Sequence, residues 1–394
     1  MTDALELLAD ARRMSAWLVE IRRSIHMYPE LGLEETVTAD LIEARLTGMG
    51  VEHARAGTAV VGLVSGARQG KTVALRADID ALPMLEATGV EYASKRAGLM
   101  HACGHDAHAT ILLGAARWFA EHRAEIAGNV KLLFQPAEET VGGAETMIAG
   151  GCMENPHVDY VLGLHVMPYL PVGRIETRKG ALNGSSTLID IVIRGKSCHA
   201  AYPETGVDAI MIAGQVVTAL QSLVSRYASP LDAAVLTIGT IEGGTVRNIV
   251  ADEVRMKATL RTTDDSVRDK LLDRAKALVE GLASSFGGSG AVDIGYGYKA
   301  LVNDPEVVDV VAAAADEILG PGSVAWKEKP SMGVEDFSFF CGARAGAFYH
   351  LGCGNEARGI VSPLHSAGFD IDEACLPLGV AMQVAATLRL LEKA

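Results

Sequence analysis

The strongest constraint on the fold is a rhythm. Short apolar runs at 60–64, 72–77, 130–134 and 160–166, bounded by Gly or polar residues, alternate with helical stretches such as 108–123. Runs this brief and this rich in branched residues predict strands buried on both faces. Strands alternating with helices predict a layered α/β domain on a mostly parallel sheet, with sites beyond the carboxyl ends of the strands. The chemistry-bearing residues follow that placement: Asp78 and Asp80 after one run, Glu138 and Glu139 after another, and His165 closing a third. A helix is predicted from residue 4 to about residue 28, where Pro29 stops it.

The texture changes near residue 184. Strands at 188–194, 234–241, 254–261 and 292–298 and amphipathic helices at 207–227 and 266–286 are predicted in the order β-α-β-β-α-β, that of a ferredoxin-like unit. A chain of 394 residues exceeds the length at which single cores stop growing. Residues 184–298 are therefore expected to form a second domain, inserted into a first one made of 1–183 and 299–394.

Charge narrows the function. A net charge of −14, from 35 basic and 49 acidic residues, has no compensating basic stretch and argues against nucleic acid as a partner. Cysteines 103, 152, 198, 341, 353 and 375 lack framework spacing, which suits a reducing cytoplasm. Residues 1–6 show no signal-peptide character, and no window approaches the roughly 18–20 uninterrupted apolar residues of a membrane helix. A soluble cytoplasmic enzyme without a membrane partner is the expectation.

Residues 100–108 read Met-His-Ala-Cys-Gly-His-Asp-Ala-His, three imidazoles and a thiol in nine positions. Cys103 and His105 stand two apart, a spacing that lets a turn aim both at one metal ion. Taken singly, a His is more often a satisfied packing residue and a Cys a small buried hydrophobe. A closed zinc knuckle would want four donors in local pairs, whereas the other donors here lie far along the chain. Glu138 and Glu139 leave a strand in different directions, so one can bind metal while the other takes a proton from an activated water; two solvated loop acids are the alternative. His165 ends an apolar strand and His365 sits in the small-residue loop 362–368, each a ligand or a hydrogen-bonded structural residue. Asp78 and Asp80 are either ligands or acids that orient a ligand imidazole.

Together these segments identify a resemblance. Residues 26–30, 76–83, 101–108, 135–139, 195–203, 243–248, 333–337 and 363–372 resemble, in order, the motifs of the M20 metallopeptidase family, in its aminoacylase, hippurate-hydrolase and indole-acetyl-amino-acid-hydrolase branch. The resemblance implies a catalytic domain holding two divalent ions (Zn, Mn, Co or Ni) and an inserted lid domain that forms a homodimer. It implies Cys103, His105, Glu139, His165 and His365 as ligands, with Cys103 bridging the ions. Glu138 is the implied general base toward a metal-activated water, and Asp78 an orienting acid. His101 and His108 match the motif without being ligands, and local packing is expected of both. In the lid, His199 is implied to reach the partner's site and stabilise the oxyanion, and Asn248 to bind the substrate carboxylate.

Departures from the pattern bear on substrate preference. Cys198 stands where relatives usually carry Gly, and Glu204 where many carry His. Arg247, beside Asn248, either reinforces anion recognition or is solvated. The implied reaction is hydrolysis of N-acyl amino acids of the hippurate or N-acetyl type. A dipeptidase or carboxypeptidase on the same scaffold is the nearest alternative. A non-catalytic metal-binding protein is the other, and the presence of Glu138 speaks against it.

Overall fold

The computed structural model describes residues 4–393, which divide into two units. The first comprises residues up to Gly180, Val302–Glu328 and the chain from Asp336 onward. The second comprises Ala181–Leu301 and Lys329–Glu335.

An eight-stranded sheet organises the first unit, in the order Glu52–Ala56, Ala59–Ser65, Ala127–Gln135, Arg68–Asp78, Tyr160–Pro171, Ala345–Gly354, Ile175–Thr177, Val324–Trp326. The four central strands run parallel. The hairpin Glu52–Ala56/Ala59–Ser65 closes one side antiparallel, so the sheet is mostly, not wholly, parallel. Strand Arg68–Asp78 is exposed at its start and buried from Thr72 to Asp78, as a strand covered on both faces must be. Helix His105–Glu121 lies almost wholly in the core. A Cβ on Gly114 would crowd Leu18 and Val380, so this helix approaches its neighbours closely only with glycine there.

Two boundaries differ from expectation. The N-terminal helix is broken at Met14 into Ala4–Arg13 and Ser15–Met27. The helix expected from 108 begins at His105, because Gly104 adopts φ +85° and starts it three residues earlier.

The second unit is a four-stranded antiparallel sheet in the order Ala234–Gly243, Glu253–Thr262, Thr187–Arg194, Ser289–Tyr296. Helices Ala209–Ser222 and Asp265–Ser285 cover it, each capped by an Asp side chain, Asp208 and Asp264. Ile189, Ile191 and Ile193 are buried and alternate with outward residues, the period-two pattern of a sheet with one covered face. The segment Lys329–Glu335 joins this unit through main-chain bonds. Ser331 N donates to Leu182 O at 2.9 Å, and the Arg261 guanidinium donates to Met332 O at 2.8 Å.

Two helices, Ala209–Ser222 with its π-helical continuation Leu223–Tyr227, and Cys375–Glu392, are long and apolar enough to cross a membrane by length and composition. Both bury an apolar face in protein: Val380, Val384 and Leu390 in the first core, Ile212, Val216 and Leu220 in the second.

Candidate metal centre

Two neighbouring parallel strands end at the same level, at Asp78 and Gln135, beside a third that runs on to Pro171. The register pairs Asp78 with Gln135 and Arg76 with both Leu133 and Gly163. Beyond these ends the chain delivers Asp80, then Glu138 and Glu139, while His165 lies within the third strand. Gly104 lets Cys103 precede a helix that opens on His105; a Cβ there would overlap Val166. His365 arrives from the loop after the last long strand, its N–H donating to Ala102 O at 2.9 Å. Its backbone is left-handed, φ +57°, a strained conformation for a residue with a Cβ.

The expected donors converge. The Cys103 sulfur lies 3.3 Å from Nε2 of His165 and 3.3 Å from Nε2 of His365. His365 Nε2 is 2.9 Å from Glu139 Oε1. The sets Cys103–His105–His165, Cys103–Glu139–His365 and His105–Glu138–Glu139 each bring three donor atoms within 4.8 Å of one another. The first two sets share Cys103, so one sulfur faces both.

The imidazoles are presented for coordination. His105 Nδ1 donates to Asp80 O at 2.9 Å, and His165 Nδ1 donates to Val166 O at 2.8 Å. A carbonyl only accepts, so in the neutral form of both rings Nε2 carries the lone pair. Burial opposes protonation of His105, yet the charge of Asp78 outweighs it and raises the pKa well above its ordinary value, so an ion binding there would release a proton. His105 Nε2 is buried without a hydrogen-bond partner, a costly arrangement unless an ion takes the lone pair.

Charges match the same reading. Burial pushes the Cys103 thiol well above its ordinary pKa, so a nearby cation is what would hold it as thiolate. Burial pushes the His165 imidazole well down, toward the neutral form that ligates. The hydrogen bond to Glu139 raises His365; the shared proton is one that metal binding would release. Burial opposes ionisation of Glu139, yet the hydrogen bond from His365 and the charge of His105 hold it below the ordinary carboxylate range. The donor set of thiol, imidazole and carboxylate fits borderline divalent ions.

Asp78 accepts from Arg76 Nη1 at 2.7 Å and from His108 Nδ1 at 2.5 Å, and lies 3.6 Å from His105 Nε2. His108 is more than packing: its Nε2 accepts the Val166 N–H at 2.9 Å, tying Asp78 to the backbone beside His165. His101 is buried, with neither ring nitrogen hydrogen-bonded among the described residues. Asp80 was left ambiguous by the sequence. It binds His105 through its carbonyl and also accepts Glu139 N at 2.9 Å, so it orients two of the donor residues.

Two further networks escaped the sequence reading. Buried Arg76 donates to Gln135, Asp78 and Asp336 at 2.7–2.8 Å. Behind His105, Asp106 accepts from Arg22 and His26, both at 2.8 Å. An arginine within an apolar strand run was the available signal for the first, since such a charge must be paired.

His199 and Asn248 belong to the second unit, and both are exposed. The short strands Cys198–His199 and Ile249–Val250 pair, and Ala200 N donates to Asn248 O at 3.0 Å. His199 Nδ1 accepts the Ala201 N–H at 3.0 Å, which puts the proton of a neutral ring on Nε2. Cys198 is half-buried, and Glu204 and Arg247 are exposed.

The chain is 39% identical over 383 residues to "Thermostable carboxypeptidase 1" of Saccharolobus solfataricus, covering 95% of each. It is 40% identical over 381 residues to "IAA-amino acid hydrolase ILR1-like 4" of Arabidopsis thaliana, covering 95% of this chain and 86% of the relative. The solved structure of the Bacillus subtilis YxeP protein, described as a dinuclear metal-binding peptidase from the M20 family, superposes with a TM-score of 0.85 at 29% identity, over 97% of this chain and 100% of that one. Residues 74–389 match the profile described as Peptidase family M20/M25/M40. The chain therefore belongs to the M20/M25/M40 peptidase family.

Proposed function

We propose that the protein is a two-metal amidohydrolase that cleaves N-acyl amino acids into a carboxylic acid and a free amino acid. The observation that carries this reading is the pair of donor triads sharing the Cys103 sulfur, with Glu138 in a third set beside His105 and Glu139. Cys103, His105, Glu139, His165 and His365 would hold the ions. Bound ions would supply Lewis acidity, polarising the acyl carbonyl and lowering the pKa of water.

Glu138 is buried at 8% exposure and takes the proton from the attacking water, then returns it to the leaving amine. Asp80 and Asp78 hold the imidazoles in place. In the second unit, the His199 Nε2–H is the donor proposed for the tetrahedral oxyanion, and Asn248 the contact for the substrate carboxylate.

The relatives' names split between N-acyl substrates and peptides, and a substrate panel decides. Hippurate and N-acetyl amino acids are expected to exceed the matching free dipeptides in kcat/KM by about tenfold or more, since only a peptidase must tolerate a charged amine beside the ions. Faster dipeptides would replace this reading with the peptidase one.

A homodimer through the second unit forms part of the proposal, with His199 serving the partner's site. Strand Ala234–Gly243 stands at the sheet edge, and Val235, Ile241, Ile210 and Met211 are exposed on this unit. Sedimentation velocity at micromolar concentration should give a dimer's mass, shifted toward monomer by Ile241→Lys. A wild-type monomer would contradict it.

A further inference from the structure

The loop between helices Ser15–Met27 and Thr36–Gly48 carries two buried carboxylates, Glu30 and Glu35, that the proposed chemistry leaves without a task. Glu30 has a local one. Its oxygens accept from Val37 N at 3.1 Å and from Thr38 N at 2.9 Å, which caps the second helix. Glu35 occupies the N-cap position of that helix yet makes no capping bond. Its side chain turns into the protein instead. Oε2 accepts from Thr58 Oγ1 at 2.7 Å and Oε1 from Ala137 N at 2.9 Å.

Ala137 is where that second bond matters. Its φ is +59°, a left-handed conformation that a residue with a Cβ adopts only when its surroundings impose it. It immediately precedes Glu138, so the peptide plane it sets directs the Glu138 side chain. Two further contacts fit the turn against the loop. Gly142 N donates to Ala137 O at 2.9 Å, and a Cβ on Gly32 would lie 2.9 Å from Ala137 Cα. The same loop steadies the neighbouring strand end, with Ala81 N donating to Glu30 O at 2.8 Å. Of these contacts, the Glu35 bond is the one made to Ala137 by an ionisable side chain that no helix cap requires.

We infer that Glu35 is a positioning residue for the general base: by accepting the Ala137 N–H it holds the strained backbone that aims Glu138. The inference rests on the general-base reading of Glu138. Metal-loaded Glu35→Ala, Glu35→Gln and Glu138→Ala are compared with wild type for kcat, KM and metal content. Amide exchange of the peptide around residue 137 is followed in the metal-free proteins.

Glu35→Ala should lower kcat about tenfold to hundredfold, with KM within about twofold and metal content unchanged. Its 137–138 amides should exchange faster than those of wild type. Glu35→Gln keeps an oxygen for Ala137 and should retain kcat within about threefold. A wild-type kcat in Glu35→Ala, or a Gln variant as impaired as Ala, overturns the assignment. If Glu35→Ala does not fold, Glu35→Asp carries the test. Its acceptor is withdrawn by one methylene, so the same kcat-specific loss is expected, and a wild-type kcat overturns the role. A fully active Glu138→Ala would remove the general-base reading and this inference with it. An inactive Glu138→Ala beside an unimpaired Glu35→Ala removes only the role of Glu35.

Discussion

Glu138→Ala is expected to lower kcat by about 10²–10⁴-fold, the usual contribution of a positioned general base. KM and metal content should change little. The carboxylate is buried beside the donor set, and the two triads that share Cys103 do not include it. Glu138→Gln should fail nearly as badly, because an amide keeps the shape but cannot take a proton. A pH profile separates this loss from a folding defect. The acidic limb of kcat/KM in the wild type reports the free enzyme's essential base, and residual activity in Glu138→Ala should lack it. An active Glu138→Ala would mean that another group carries the proton and would remove the general-base role of Glu138.

Cys103→Ala is expected to cost more than any other single ligand. Its sulfur belongs to both the His105–His165 set and the Glu139–His365 set. Its loss should empty both positions, while His165→Ala should chiefly affect one. Activity should fall by at least about 10²-fold in each. Thermal stability should also fall, because an ion that binds only the folded chain adds RT ln(1 + [L]/Kd) to its stability. Metal analysis beside calorimetry reads both effects. A Cys103→Ala protein that keeps two tightly held ions would contradict the bridging role.

How much of this was legible in the sequence follows from what each residue depends on. The ends at Asp78 and Gln135 were legible because apolar runs mark them, and in parallel sheets functional groups collect there, whereas the strand expected to close at His165 runs on to Pro171. The five donors were candidates by residue type and were singled out as a set by the resemblance to the family's motifs, while their convergence is a property of the fold. From residue types alone the roles of Asp78 and Asp80 were not separable, and only the resemblance gave Asp78 its orienting role. They lie two apart after one strand, and only the path of the turn decides that Asp80 meets both His105 and Glu139. The Arg76–Asp336 pair spans 260 positions, beyond the reach of any local pattern. The early start of helix His105–Glu121 turns on one left-handed glycine, and the task of Glu35 on a left-handed alanine. Backbone strain of that kind leaves no trace in hydrophobic periodicity.

The most direct test of the whole account is a metal titration. The protein is stripped with a chelator and dialysed, and a divalent ion is returned in steps while hydrolysis of an N-acetyl amino acid is followed. The account predicts no activity in the stripped protein and a rise that levels off near about two equivalents per chain. Undiminished hydrolysis by the stripped protein, or a plateau at a single equivalent, would contradict it.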